Sequence, residues 1–265
     1  MMNPEISSRL ELARAIALEA GQVTLRYFGQ GNFDVEWKRD ASPVTVADRE
    51  AEQHLRARIA AAFPADGILG EEFGEQPGTS GYRWILDPID GTQSFIHGVP
   101  LYGTLIGVER EGRSQVGVIS VPALGEMAWA GVGGGAWYSQ RGQDPRPAKV
   151  SSCGQMGDGL FVTSDFAGWT KTNRQAALSR MGRLARRGRT WGDCYGYMLV
   201  AVGRAEAMID PIMNVWDAAA IQPILEEAGG TFTDWQGQPT IHSGEGVATN
   251  GLVLKEVLSE LGKSE

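Results

Sequence analysis

An aromatic and β-branched run, Tyr82-Arg83-Trp84-Ile85, passes straight into Leu86-Asp87-Pro88-Ile89-Asp90-Gly91-Thr92, and the chain is expected to turn at those acids. The first residues read as a strand, and Gln93-Ser94-Phe95-Ile96 reads as the beginning of a helix. Asp87 is expected to close the strand, because Pro88 cannot donate to a central ladder. Asp90-Gly91-Thr92 then supplies capping side chains and a glycine where backbone must come close to something. Two carboxylates three positions apart, at the lip of a strand and just ahead of a helix, suit the holding of a cation against an anion. The carboxylates favour the metal, and the N–H groups of Gly91 and Thr92 favour a phosphate. Asp-Pro and Asp-Gly pairs are also ordinary turn chemistry, and this stretch by itself leaves both readings open.

Acids elsewhere in the chain bear on that choice. Gly67-Ile68-Leu69-Gly70 is a short apolar run that ends in Glu71-Glu72. Neighbouring residues on an extended chain point in opposite directions, so only one of the two shares a site with Asp87, and Glu71 is the expected one. Val215-Trp216-Asp217 opens an alanine-rich helical segment. Thr45 followed by Asp48 has the form of a capping box, which makes Asp48 a first-turn acid of a helix running to Ala62. Asp193 stands where an apolar helix through Val202 begins and reads equally well as a cap. Ala205-Glu206-Ala207-Met208-Ile209-Asp210 is a strand that again ends in acid.

The formal net charge is −8, which argues against nucleic acid as the main partner. For a phosphate ester that sign is also unfavourable, unless clustered carboxylates first bind divalent cations and invert the local field. The cysteines, Cys153 and Cys194, make neither a disulfide framework nor a zinc site, and read as packing or pocket-wall residues. His54, His97 and His242 are too scattered for a histidine metal site or a Ser-His-Asp triad. No apolar run approaches the ~18 residues of a membrane span, and Met1-Met2-Asn3-Pro4-Glu5 lacks a basic segment followed by an apolar one. A cytoplasmic protein is expected.

Residues 6–28 have the spacing of a long amphipathic helix, and 33–38 alternate like a strand. Residues 74–81 form a polar link. Strands at 101–109 and 115–122 are joined by a hairpin at Arg110-Glu111-Gly112-Arg113, and 126–130 and 136–138 continue the antiparallel pattern. Gly133-Gly134-Gly135 reads as a plain turn, since no helix or Walker-spaced lysine follows. A proline-bearing segment from 143 to 153 divides the chain into lobes 1–147 and 148–265 that form one compact unit. Beyond it come a strand at 159–164 and a helix at 170–186. Arg180, Arg183, Arg186, Arg187 and Arg189 make a basic cluster, read as a solvated helix face or, alternatively, as a phosphate-steering or subunit contact. Pro223 implies a kink or a locally satisfied carbonyl, and 231–235 is a closing strand. Strands alternating with helices, with one antiparallel meander, give a mixed α/β sandwich of layers.

The motifs Gly70-Glu71-Glu72, Trp84-Ile85-Leu86-Asp87-Pro88-Ile89-Asp90-Gly91-Thr92, and Trp216-Asp217-Ala218-Ala219 followed by Glu227-Ala228-Gly229-Gly230, in that order and spacing, resemble the inositol monophosphatase-like superfamily. The resemblance implies a layered α-β-α-β-α sandwich of the inositol monophosphatase and fructose-1,6-bisphosphatase type, Mg²⁺ cofactors and a homodimer. Ser42-Pro43-Val44-Thr45-Val46-Ala47-Asp48-Arg49, the run from Phe95 to Gly107, and Trp191-Gly192-Asp193-Cys194-Tyr195-Gly196-Tyr197 with Asp210-Pro211 resemble the histidinol-phosphatase branch most. The Ser-Pro-Val-Thr element also resembles bacterial nucleotide-bisphosphate phosphatases. The implied reaction is hydrolysis of histidinol phosphate, in histidine biosynthesis, with inositol phosphate or a 3′-phosphonucleotide as alternative substrates. A metal-binding interaction protein without turnover is the remote alternative.

By the same resemblance, Glu71, Asp87 and the Ile89 carbonyl hold one Mg²⁺, while Asp87, Asp90 and Asp217 hold a second. Glu71 also helps with a weaker third ion, so two to three ions serve each site. A water is the attacking group, oriented by Thr92 and Asp48, with Glu71 assisting. The Gly91 and Thr92 N–H groups receive the phosphate, and Lys38 is a distant counter-charge. Histidinol phosphate carries an amine and an imidazole, so its pocket needs acceptors, which Asp193 and Asp210 offer. Trp191 or Tyr195 would stack on the ring, and Arg189 and Gly192 complete the expected substrate wall.

Overall fold

The computed structural model describes residues 2–30, 35–37 and 43–263. Helix α1 (Pro4–Leu25) starts at Asn3, whose side chain accepts the Glu5 N–H at 2.8 Å, with a proline in the first turn. Strands β1 (Val35–Trp37) and β2 (Pro43–Thr45) pair antiparallel and lead into α2 (Val46–Ala62), which opens on the Thr45/Asp48 capping box. Lys38 lies outside the described residues.

A large sheet follows, from β3 (Gly67–Gly70), β4 (Gly74–Gln76), β5 (Tyr82–Asp90), β6 (Gly103–Arg110), β7 (Arg113–Val121), β8 (Glu126–Gly131), β9 (Ala136–Gln140) and β10 (Arg146–Pro147), with α3 (Thr92–Ile96) between β5 and β6. Its strand order is β10-β9-β8-β7-β6-β5-β3-β4. The second half supplies β11 (Leu160–Val162), α4 (Ala167–Lys171), α5 (Gln175–Leu184), β12 (Arg187–Arg189), α6 (Cys194–Ala201), β13 (Ala207–Asp210), α7 (Val215–Ala218), α8 (Ile221–Glu227), β14 (Thr231–Thr233), β15 (Gly246–Thr249) and α9 (Leu254–Leu261). These strands form a sheet of order β12-β11-β13-β15-β14.

Alternation along the strands sets the layers. Trp84, Leu86, Ile106, Val108, Val116 and Val118 pack against Ile16, Ala17, Ala20 and Leu55 of α1 and α2. The intervening residues Ile85, Leu105, Ile119 and Val121 face the opposite way, onto α6 and α8, which are themselves covered by Met208, Phe232 and Ala248 of the second sheet. Trp169, Met181, Val257 and Leu261 close the far side. The order is therefore helix, sheet, helix, sheet, helix, as the layered expectation requires. Two residues beyond Ile85 on the same face stands Asp87, so the pleat aims this acid into the space between the sheet and the second half.

Several local expectations are corrected. The central strand does not stop at Asp87: β5 runs to Asp90, with a register shift between Asp87 and Asp90 where it pairs with β6. The irregularity accommodates Pro88, whose carbonyl instead accepts the Thr104 hydroxyl at 2.9 Å. The 74–81 link folds back as β4 on β3. The helix expected over 170–186 is two, α4 and α5, broken near Asn173 at φ 55°, and Arg187–Arg189 is an edge strand. Pro223 falls in the first turn of α8, and Ala219 and Ala220 keep helical dihedrals between α7 and α8. The Ala219 carbonyl that a proline cannot bond accepts the Ser114 hydroxyl at 2.7 Å, so the expected local satisfaction is found in place of a kink. Elements β15 and α9 went unread in the sequence.

Candidate active site

The acids meet where β5, α7 and the start of α6 converge. What allows this is a pair of glycines on the sheet face beneath α7 and α8. A Cβ on Gly107 would lie 2.6 Å from the Ala219 Cβ, and one on Gly117 would lie 2.0 Å from the Ala220 carbonyl oxygen. The α7–α8 junction therefore rests directly on the sheet, and Asp217 comes down over Asp87. One carboxylate oxygen each from Asp87, Asp90 and Asp217 lies within 4.8 Å of the others.

Each acid is held by its own local structure. Asp87, 2% exposed, accepts the Ile89 N–H at 3.0 Å. Asp90 accepts the Cys194 N–H at 2.5 Å, which ties β5 to α6. Asp217 closes a capping box with Asn214, accepting its N–H at 2.7 Å. Glu71 follows β3, which runs parallel to β5 with Leu69 opposite Ile85, and its N–H bonds the Leu86 carbonyl at 3.1 Å. Parity thus gives Glu71 the face of Asp87. It is not part of the three-carboxylate cluster, but its charge acts on both Asp87 and Asp217.

The electrostatics of this arrangement call for a cation. Burial, then the charges of Glu71, Asp90 and Asp217, push the Asp87 carboxyl well above the ordinary carboxylate range. Burial with Asp193 and Asp217 does the same to Asp90. Asp217 is pushed up to about 7 by burial, opposed by the Asn214 N–H and reinforced by Glu71. Asp87 is buried and Asp90 and Asp217 are half-buried, and three carboxylates this close repel one another unless a positive charge sits among them. All three donors are hard oxygens, the set that suits Mg²⁺ rather than a soft metal.

Around the cluster stand the other residues named from the sequence. Asp48 closes the capping box on the Thr45 N-cap, one oxygen accepting the Thr45 N–H at 2.7 Å and its hydroxyl at 2.6 Å. It is also buried beside Glu71 and Glu72, and burial raises it to about 7. The capping and site readings of Asp48 are thus compatible. Gly91, at φ 84°, turns the chain into α3 and caps it without a side chain, so Thr92 is not the cap. The Thr92 hydroxyl instead donates to the Ile89 carbonyl at 3.1 Å. A Cβ on Gly91 would stand 2.7 Å from an Asp193 oxygen, which brings Asp193 against the β5–α3 turn. Asp193 makes no side-chain capping bond to α6.

Asp90, Asp193, Asp210 and Asp217 share a cavity of about 60 Å³ with Ser164, Cys194, Tyr197 and Met213. Asp210 does not present open acceptors there. Its oxygens take the Ser164 N–H and hydroxyl, both at 2.9 Å, and the Tyr197 hydroxyl at 3.0 Å. Gly192 lies against Ser164. Arg189 lines a separate hollow of about 360 Å³ with Phe161, Phe166 and Leu178. Trp191 is 42% exposed, whereas the Tyr195 hydroxyl neighbours Glu126 and Arg204, which carries it away from the acids. Sequence reasoning missed Ser164 and Asn214. Ser164 carried the signal that marked the acids, a polar residue at the end of an apolar strand.

Alternating layers with a carboxylate cluster at the mouth of a central strand form an arrangement of the kind that metal-assisted hydrolases use. The model of the inositol monophosphatase family matches residues 5–264. A histidinol-phosphatase of Chlorobaculum parvum is 45% identical over 100% of this chain and 99% of its own. One of Mycobacterium tuberculosis is 39% identical over 95% of this chain and 97% of its own. Among solved structures, the extragenic suppressor protein suhB of Bartonella henselae superposes with a TM-score of 0.90 at 29% identity, covering 97% of this chain and 100% of that one. This chain belongs to the inositol monophosphatase family and is a phosphoric monoester hydrolase.

Proposed function

We propose that the chain is a Mg²⁺-dependent histidinol-phosphate phosphatase, converting histidinol phosphate and water to histidinol and phosphate. The observation that carries the reading is the convergence of Asp87, Asp90 and Asp217 beside a fourth acid, Asp193, which stands at the N-cap of α6 but whose side chain neither bonds that helix nor belongs to the cluster. The 45% identity to a histidinol-phosphatase along both full lengths supports the choice of ester.

Asp87, Asp90, Asp217, Glu71 and the Ile89 carbonyl would hold two ions, with a weaker third near Glu71. When bound, Mg²⁺ supplies positive charge for the phosphoryl oxygens and acidifies water. The N–H groups of Gly91 and Thr92, at a helix start where intrahelical acceptors are lacking, receive the phosphate. The Thr92 hydroxyl and Asp48, fixed by its bonds to Thr45, orient the attacking water. Water oxygen bonds to phosphorus as the ester P–O bond breaks, and the water's proton leaves with the alcohol. Asp193 accepts from the substrate ammonium and Trp191 flanks the imidazole. Asp210 acts through Ser164, whose N–H and hydroxyl it already holds. Lys38 and Arg189 supply an outer counter-charge. The reading carries with it a cytoplasmic homodimer acting on a small phosphomonoester.

Steady-state kcat/KM on histidinol phosphate beside inositol 1-phosphate, with and without Mg²⁺, tests the reading. Histidinol phosphate is expected to be preferred, and Asp193→Ala to raise its KM about tenfold or more while a simple phosphomonoester is little affected, since a charge-assisted bond contributes about 1.5–3 kcal/mol. Equal losses on both esters, or preference for inositol 1-phosphate, would reject the assignment.

A further inference from the structure

Helix α2 carries Asp48, Glu52 and Arg56 at four-residue spacing, hence on one face. Asp48 looks into the site, and Glu52 has no direct place in it. Yet the Glu52 side chain is fully buried, and its carboxylate is spent on the loop after β3. One oxygen accepts the Glu72 N–H at 2.8 Å, while the other accepts the Phe73 N–H at 3.3 Å and Arg56 Nε at 2.7 Å. Arg56 also donates to the Gly74 carbonyl, so the pair clasps residues 72–74 from both ends. The fit leaves no slack: a Cβ on Gly70 would lie 2.0 Å from a Glu52 oxygen.

Glu71 is the residue enclosed by these contacts. Its own N–H is held by Leu86, and the next two N–H groups by Glu52. We propose that Glu52 is a positioning residue, a buried carboxylate that locks the Gly70–Phe73 turn so that Glu71 is held against Asp87. Through it, the helix bearing Asp48 and the turn bearing Glu71 move as one body. This rests on the reading of Glu71 as a cation ligand given above.

The test is direct binding of Mn²⁺ to the full-length protein by calorimetry, without substrate. Glu52→Gln keeps the shape but turns one acceptor into a donor facing an N–H or Arg56. It is expected to weaken Mn²⁺ binding about tenfold, as loss of partners that orient metal ligands typically does. Glu52→Asp retains the charge beside Arg56 but retracts from the Glu72 N–H, and is expected to fall between Glu52→Gln and wild type. In a Glu71→Gln background, Glu52→Gln is expected to add little further loss of affinity, because the two act through one ligand. Mn²⁺ affinity unchanged in both Glu52 variants, with only the melting temperature lowered, would overturn the proposal. So would full additivity with Glu71→Gln. Because the readout is binding, a wild type that takes up Mn²⁺ but releases no phosphate from any ester would refute the catalytic reading and leave this test standing.

Discussion

Asp48 carries two duties on one carboxyl group, closing the capping box of α2 and standing at the edge of the acid cluster. The sequence offered these as competing readings, and geometry makes them one, since a cap at the start of α2 is already at the cluster's edge. Such crowding changes how firmly these acids hold their protons. Burial holds Asp48 and Asp217 at about 7, above the usual aspartate value. In the metal-free protein the folded state therefore keeps protons that the unfolded chain has released, and stability falls as pH rises from about 4 to about 7. A bound divalent ion reverses this, since it favours the ionised carboxylates. The rise in melting temperature on adding Mg²⁺ is thus expected to be larger at about pH 8 than at about pH 5, measured by scanning calorimetry. An equal rise at both would show that the cation binds away from these acids. Residue identity alone marked Asp87, Asp90 and Asp217, but it left no trace of Ser164 occupying Asp210, because a strand-end acid looks the same whether open or already bonded.

At the scale of elements, the site depends on how closely α7 rests on the large sheet. Gly117 faces the Ala220 carbonyl, and a methyl group there has no room. Gly117→Ala is expected to cost about 1–3 kcal/mol of stability through overpacking. It should also weaken Mg²⁺ binding by lifting the helix that carries Asp217, as isothermal titration would reveal. Unchanged Mg²⁺ affinity in a folded Gly117→Ala protein would mean that α7 is placed by other contacts. The long helices and β6–β9 were legible because their apolar periods are unbroken. The strand through Pro88 was not, since a bulge is a pairing event that a local rule about proline cannot foresee. The short elements β12, β15 and α9 depend on tertiary pairing more than on their own pattern. Gly133 and Gly135, correctly read as a turn, donate to the Glu227 carboxylate at 2.8 and 2.7 Å, so the anion they hold is the chain's own.

For the whole molecule, the fold's logic is that two sheets share α6 and α8 as a common filling. Ile85, Leu105 and Ile119 from the first half pack in one core with Met198, Ile224 and Phe232 from the second. We propose that the division at Pro147 and Ala148 separates lobes without separating folding units. A single calorimetric transition is expected, and two resolved transitions would show that the halves unfold independently. The layered class was readable from alternating strands and helices; which face of the central strand meets the second half was not, because it follows from side-chain parity along β5. That parity brings Asp87 beneath Asp217, 130 positions later in the chain. The most direct measurement is anomalous diffraction from crystals soaked in Mn²⁺ and phosphate. Manganese peaks about 2 Å from oxygens of Asp87, Asp90 and Asp217, with phosphate at the start of α3, are expected. Peaks elsewhere, with those three carboxylates turned apart, would contradict the account at its centre.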